Sequence, residues 1–259
     1  IESEKIQGSH CLFRSCFPVR LYPMDPVSAR LLPRPFSAAP SPRRNDAESV
    51  LRFEFATIDP TKSFAEFALD TLRFYISIPN FQKAARLLEL VLTRTLEIVV
   101  SGADGSICTV LPPTAITPVG FAAEDAVLPQ SNQSFPGYRL LTEYFVLPQK
   151  FLFFDLTGLN AAALKSAGNR IEISVLLSEH DAGVAGLVSA DTVMLGCTPV
   201  INLFRKTADA MPLSFRSTEY RIIPDARAED AHEIYAIENI HIDDQEGQTR
   251  QFRPFYSVH

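Results

Sequence analysis

The sequence predicts an α+β, β-rich fold made of two packed units of mixed or antiparallel sheet with a few short helices. Several short segments alternate apolar and polar residues with period two, which indicates half-buried strands. The chain has 19 prolines against 11 glycines, a bias that favours extended segments and rigid connections. At 259 residues, of which 46% are hydrophobic and 21% are charged, it can fill one large core or two modest ones.

The first predicted segment, residues 1–46, consists of N-terminal strands and a linker rich in proline and arginine. Residues 11–21 alternate as a strand that Pro18 interrupts, and residues 27–32 form a second strand. Residues 33–46 hold four prolines and three arginines among serines and alanines, which is typical of a linker. A local group of arginines is interpreted as part of this solvated linker rather than as a nucleic-acid arm: Arg30, Arg34, Arg43 and Arg44.

The second predicted segment, residues 47–130, is the first β-rich α+β unit. Strands are predicted at 49–57, 69–78 and 96–101, with a hairpin return at 107–111 after the turn 102–105. Residues 81–95 carry an apolar helical stripe, and Asn80 is placed to cap that helix. The strand–helix–strand order is long enough for a crossover, so a parallel pairing is possible but not required.

The third predicted segment, residues 131–259, is the second β-rich α+β unit and opens with the stretch 135–160. A helix is predicted at 138–146 because Leu141, Tyr144 and Phe145 share one face. A strand is predicted at 150–156, and we interpret the whole stretch as core. A short helix at 159–167 and a strand at 170–177 follow, and the N-terminal strands are free to pair with either unit.

The remaining C-terminal elements are predicted with less regular patterns. Residues 191–195 are short and apolar, and residues 200–204 are ambiguous between strand and helix. Residues 212–224 and 231–242 are predicted strands joined by a charged turn, and residues 243–247 close the second strand.

The composition argues against several classes of function. The net charge of −6 argues against non-specific nucleic-acid binding. No apolar run approaches the length of a membrane helix, and no signal peptide is visible. The four cysteines lack zinc-like pairing and are predicted to be reduced, partly buried thiols: Cys11, Cys16, Cys108 and Cys197.

The sequence contains no residue that its motifs assign a catalytic, cofactor-binding or metal-binding role. The chain has no nucleophile elbow, phosphate loop, dinucleotide fingerprint or H-E-x-x-H zinc motif. His241 and Asp243 share a strand face and could hold a metal, but a charged hairpin explains them, and residues 229–233, without a ligand. Phe151, Phe153 and Phe154 could form a carbohydrate platform, but core packing is the preferred interpretation because the chain has no tryptophan.

Six stretches, in order along the chain, resemble the TssF family (also called VasA or ImpG), the baseplate wedge subunit of bacterial type VI secretion. These stretches are CLFRSCFPVRLYPM (11–24), LRFYISI (72–78), FPGYRLLTEYFVLPQKFLFFDLTGL (135–159), LGCTPVINLF (195–204), EYRIIPDARAEDAHEIYAI (219–237) and FRPFYS (252–257). The stretches at 135–159 and 195–204 are the most specific. The resemblance spans nearly the whole sequence. Because the chain begins with isoleucine and ends on an aromatic stretch, we expect it to be the middle of a longer TssF.

The resemblance implies a structural role without enzymatic activity or cofactor. TssF joins TssG in a wedge that holds more than one TssF per TssG. Wedges assemble with other baseplate components around the VgrG spike hub and support the contractile sheath. The expected location is the cytoplasm, in a baseplate docked at the inner face of the cytoplasmic membrane, without direct membrane insertion.

The resemblance supplies no list of interface residues, so candidates come from physical reasoning. Aromatic side chains beside turns serve as anchors in obligate interfaces, which selects Tyr138, Phe204 and Tyr256. The alternative that all three are core residues stays open. The runner-up function is a cytosolic carbohydrate-active or hydrolytic enzyme that uses a carboxylate pair, which would need a polar cleft with two converging carboxylates. A ligand-binding module with a deep aromatic pocket is third.

Overall fold

The computed structural model describes residues 1–6, 9–102, 104–129, 135–214, 216, 218–227, 229–243 and 247–252. Its helices are α1 (Phe81–Thr93), α2 (Pro136–Val146) and α3 (Ala182–Ala185). The strands within these ranges are β1 (Glu2–Ile6), β2 (Ser9–Leu12), β3 (Arg14–Ser15), β4 (Met24–Pro33), β5 (Ser49–Thr57), β6 (Thr71–Ile76), β7 (Thr95–Gly102), β8 (Ile107–Leu111), β9 (Ile116–Val119), β10 (Phe153–Thr157), β11 (Arg170–Leu177), β12 (Val193–Leu195), β13 (Val200–Ile201), β14 (Ile240–Asp243) and β15 (Thr249–Phe252). The predicted α+β, β-rich class is confirmed.

The chain divides into two compact units whose boundary falls within α2. Unit 1 comprises Ile1–Cys16, Val127–Arg139 and Pro199–His259, and unit 2 comprises Phe17–Ala126 and Leu140–Thr198. Every strand pairing found among the described residues is antiparallel.

Unit 2 contains a five-stranded sheet, β4-β5-β11-β7-β8, and a four-stranded sheet, β12-β6-β10-β9. β6 and β7 lie in different sheets, so the possible parallel pairing across α1 does not occur. Instead β6 pairs with β10 and β7 pairs with β11. Each strand that flanks α1 therefore pairs with a strand from residues 153–177. The five-stranded sheet takes strands from all three predicted chain segments. The predicted segment boundaries at residues 46 and 130 therefore do not separate one sheet from another, and as domain boundaries they stay a proposal.

The main core of unit 2 lies between the two sheets and α1. Alternation along β5 turns Phe53 and Phe55 into this core, where Phe53 stacks on Phe74 of β6 at 5.5 Å between ring centroids. Phe154 of β10 also stacks on Phe74, at 5.1 Å, and Phe151 and Phe153 are buried as well, which confirms the core packing predicted for these three residues. Such stacks add packing energy beyond the area they bury.

The opposite face of the five-stranded sheet is covered by the stretch predicted to be a linker. Val50, Val99 and Leu176 form a second small cluster with Ala47 there. Phe36, Ala38 and Ala39 pack onto this cluster, and the Arg52 guanidinium donates to the Ser37 carbonyl. Residues 34–46 thus run against the sheet, with a short 3-10 turn at Arg44–Asp46.

The helix α1 forms where the sequence predicts it. Asn80 Oδ1 accepts a hydrogen bond from Lys83 N at 3.1 Å, which satisfies one of the unpaired amides at the helix start. Ala84, Leu87 and Val91 are buried on its inner face. The predicted short helix at 159–167 is instead a series of turns, with Leu164 N donating to Asn160 O at 3.1 Å.

Unit 1 contains three two-stranded pairings: β1-β2, β13-β3 and β14-β15. The predicted strand at 212–224 is wrong for its described residues, and the one at 231–242 is confined to β14. Ion pairs link residues within this irregular stretch, with Arg205 to Glu238 at 3.0 Å and Lys206 to Asp225 at 2.8 Å. The Lys206 ammonium lowers the pKa of the Asp225 carboxyl through its hydrogen bond.

Candidate interaction surface

The helix α2 turns its apolar face outward. Leu141, Tyr144 and Phe145 are 59%, 46% and 80% exposed, although their spacing predicted a core-facing stripe. The buried positions are instead Arg139 and Glu143, one helical turn apart. The predicted helix is therefore confirmed, but its assignment to the core is wrong.

A buried ion pair lies on the inner side of α2. The Lys150 ammonium pairs with the Glu143 carboxylate, and both side chains are completely buried. Lys150 Nζ also donates to the Asp125 carbonyl at 3.1 Å, and Asp125 Oδ2 accepts from Gly120 N at 2.8 Å. Charged groups are excluded from interiors unless they find such partners, so this arrangement fixes which side of α2 faces inward.

Aromatic rings continue the exposed face of α2 across unit 2. Tyr144 contacts Phe145 at 5.5 Å and Phe151 at 6.2 Å between ring centroids. Phe151 in turn contacts Phe121 at 5.0 Å, and Phe121 is 50% exposed. We define the α2 aromatic patch as the exposed members of this surface in unit 2: Phe121, Leu141, Tyr144, Phe145 and Val146.

The residues predicted as interface anchors have different positions. Tyr138, in the first turn of α2, is 70% exposed and meets Phe135 edge to face at 5.8 Å. Phe204 follows β13, is 37% exposed and lies 6.1 Å from the His232 ring. Tyr256 lies outside the described residues. An interface role for all three stays a prediction.

Sequence reasoning missed Leu141 and Phe145 as surface residues. The charged pair Arg139 and Glu143 lies on the opposite side of the helix at i and i+4, a pattern that by itself favours exposed charges and a buried apolar stripe. Periodicity defines the two faces of a helix, but a buried cation such as Lys150 decides which face turns inward.

Groups able to perform chemistry are sparse in the ranges that the structure covers. No cluster of three or more His, Cys, Asp or Glu suited to a metal was found in them, and Asp243 Oδ1 accepts from Thr249 Oγ1 at 2.6 Å within the β14-β15 hairpin. The four cysteines are thiols outside any disulfide and are partly buried, as predicted. Burial raises the pKa of the Cys197 thiol, which disfavours the reactive thiolate.

One open depression in unit 1 is lined by two carboxylates. It has a volume of about 410 Å³, and its lining includes Glu229 and Glu233. Glu229, however, is paired with Arg221 at 2.8 Å. A general acid–base pair needs two carboxylates that converge on one substrate bond, whereas Glu229 is engaged in an ion pair with an arginine. The alternative enzymatic function is not supported.

Comparison with known proteins agrees with the resemblance noted in the sequence. A family model described as "Type VI secretion system, TssF" matches residues 1–259. Type VI secretion system component TssF1 of Pseudomonas aeruginosa is 33% identical over 253 residues, which cover 96% of this chain and 40% of that protein. A chain in the cryo-electron microscopy structure of the TssK–TssF–TssG baseplate subcomplex superposes with a TM-score of 0.73 at 26% identity, over 93% of this chain and 43% of that chain. The sequence thus spans less than half the length of these relatives, and it belongs to the TssF family of the type VI secretion system.

Proposed function

We propose that this chain is part of a structural subunit of the type VI secretion baseplate. In this role it joins TssG and a second TssF copy in a wedge around the VgrG spike hub, and the assembled baseplate supports the contractile sheath. The observation that carries the proposal is the structural match to a chain of the TssK–TssF–TssG baseplate subcomplex over 93% of this chain. That solved assembly also makes TssK a candidate neighbour.

The proposed role is assembly rather than catalysis. Its support is the family match together with exposed aromatic surface, which is what a subunit with obligate partners presents before assembly. Phe145, Tyr138 and Phe135 are 80%, 70% and 68% exposed. Rigid aromatic side chains of this kind anchor protein interfaces.

The proposed location is the cytoplasm, with the assembled baseplate docked at the inner face of the cytoplasmic membrane. None of the helices within the described ranges is long and apolar enough to cross a membrane. In the proposed role, other components of the secretion system attach the baseplate to the membrane.

The test is co-purification of the complete gene product that contains this chain with the TssG encoded beside it. Size-exclusion chromatography with light scattering gives the mass of the complex and hence the number of TssF copies per TssG. We expect a stable complex with more than one TssF per TssG. A monomer that elutes apart from TssG would contradict the proposal and reduce the likeness to a shared fold.

A further inference from the structure

The α2 aromatic patch is an unusual use of an amphipathic helix. A helix of a protein with no partner buries its apolar stripe and leaves its charged side chains in water. In α2 the opposite occurs: Glu143 is buried with Lys150, while Leu141 and Phe145 are 59% and 80% exposed. Because burying charges costs free energy even when they are paired, this orientation is explained if the apolar face has a partner.

The size of the patch approaches that of a specific interface. Its three aromatic residues are 50%, 46% and 80% exposed, and Leu141 and Val146 are 59% and 68% exposed. Since an aromatic side chain presents roughly 150–250 Å², the patch offers roughly 500 Å², at the upper end for an exposed apolar patch on a monomer. Two such patches face to face would bury roughly 1,000 Å², about the minimum for a biological interface.

The charge of the patch is compatible with a second copy of the same surface as its partner. None of its five members carries a charge at neutral pH, and the two charged residues of α2, Arg139 and Glu143, are both buried. When identical surfaces meet around a two-fold axis, any charged group near the axis faces its own copy, and like charges repel. A face without charges avoids this repulsion.

We propose that the α2 aromatic patch is the surface through which two TssF copies contact each other, with Leu141 and Phe145 at its centre. This inference rests on the proposed function, because the wedge is what brings a second copy close. In this arrangement the buried Glu143–Lys150 pair is a positioning element that holds the apolar face of α2 towards the second copy.

Photo-crosslinking tests the proposal directly. The variant Phe145→p-benzoylphenylalanine, made in the complete protein, is irradiated alone and in the presence of TssG. We expect an adduct with twice the mass of TssF in at least one of the two samples. An adduct with TssG alone, or a photoproduct confined to one TssF chain, would overturn the proposal and assign the patch to that other partner.

Introducing negative charges into the patch provides the second readout. The double variant Leu141→Glu/Phe145→Glu is expected to lower the number of TssF copies per TssG to one. The matched control Ile58→Glu, at a residue of unit 2 that is 63% exposed outside the patch, is expected to keep the wild-type number. Circular-dichroism melts compare the folding of all three proteins. A well-folded double variant with the wild-type number of copies would refute the proposal, whereas wild-type TssF that ignores TssG would count against the proposed function alone.

Discussion

Lys150 is the residue on which the position of α2 depends. Its side chain is completely buried, pairs with Glu143 and donates to the Asp125 carbonyl at 3.1 Å. Truncating one partner of a buried ion pair leaves the other charge without compensation. We therefore expect Lys150→Met to lower the free energy of unfolding by about 3–5 kcal/mol, measured by urea denaturation.

The double variant Glu143→Leu/Lys150→Met provides the diagnostic comparison. Removing both charges also removes the cost of burying them, so it should lose less stability than Lys150→Met alone. The exposed pair Lys62–Glu66, at 2.9 Å, supplies a matched control, and Lys62→Met should change stability little because solvent screens that pair. A double variant as unstable as the single one would show that Lys150 acts by packing rather than by charge.

Asp181 gives a prediction about pH. Its Oδ2 accepts from Arg86 Nε at 3.0 Å, and this hydrogen bond lowers the pKa of the Asp181 carboxyl. A carboxyl whose pKa is lower in the folded state stabilises the fold above its unfolded pKa of about 3.9, and that contribution is lost as the pH falls through the folded value. Stability should therefore decline as the pH falls below about 4.

Asp181→Asn isolates the charge in this prediction. Asp181 also caps α3 by accepting from Gly183 N at 2.9 Å, and asparagine caps a helix as well as aspartate does. We expect the variant to be less stable than wild type near neutral pH, with the difference shrinking as the pH falls below about 4. Urea unfolding curves across this range provide the measurement, and a difference that is independent of pH would contradict the assignment.

At the scale of elements, the turn after β9 depends on a glycine. Gly120 has φ +102°, and a Cβ there would lie 2.6 Å from the Lys150 carbonyl oxygen. Gly105, with φ +77° and open space around it, is the matched control. Gly105→Ala should cost about 1–2 kcal/mol from its left-handed backbone. Gly120→Ala should cost more because backbone must also move. Equal losses in thermal or urea unfolding would show that the close approach is unimportant.

The sequence predicts well those elements that have one clearly apolar face, because that face packs in the main core. Alternation along residues 49–57 matches β5 at both ends, because one face of this strand packs in the main core. The helix α1 is equally clear, since Asn80 caps it and an apolar stripe lies along its inner face. Both patterns combine a local signal with burial in one large core.

The predictions fail where a pattern does not specify its partner. Residues 212–224 alternate like a strand, yet in their described part they are held by contacts such as Asp209 N to Ile223 O at 3.0 Å. Strand pairing needs a second edge, and alternation does not say whether one is available. In α2 the period correctly groups Leu141 with Phe145, but Lys150, which lies beyond the helix, determines which face is buried. The candidate surface could therefore be found only in three dimensions.

At the scale of the molecule, the two units differ in how they are stabilised. Both hydrophobic clusters found among the described residues belong to unit 2. Unit 1 has neither cluster, and it exposes large apolar side chains, including Tyr235 at 56% and Phe252 at 47%. A segment that leaves such residues in water gains stability when other protein surface covers them. This is the property expected of an assembly subunit, and it makes unit 1 a second place to look for partner contacts.

Phe204 tests the contribution of unit 1 to assembly. It is 37% exposed, and its ring meets His232 edge to face at 6.1 Å. We predict that Phe204→Glu weakens association with TssG by roughly tenfold or more, since a buried aromatic anchor contributes about 2 kcal/mol or more. Titration of labelled TssG into the complete protein measures this change. Phe204→Leu, which keeps an apolar side chain, should retain most of the affinity.

The interpretation of Phe204 as an anchor requires that the variant still folds. Because neither hydrophobic cluster contains Phe204, we expect the circular-dichroism melt of Phe204→Glu to match that of wild type. A variant that unfolds would make Phe204 a structural residue and remove the interface interpretation. A folded variant with unchanged affinity for TssG would contradict the anchor role of Phe204 and shift the search for TssG contacts to Tyr138 and the rest of unit 1.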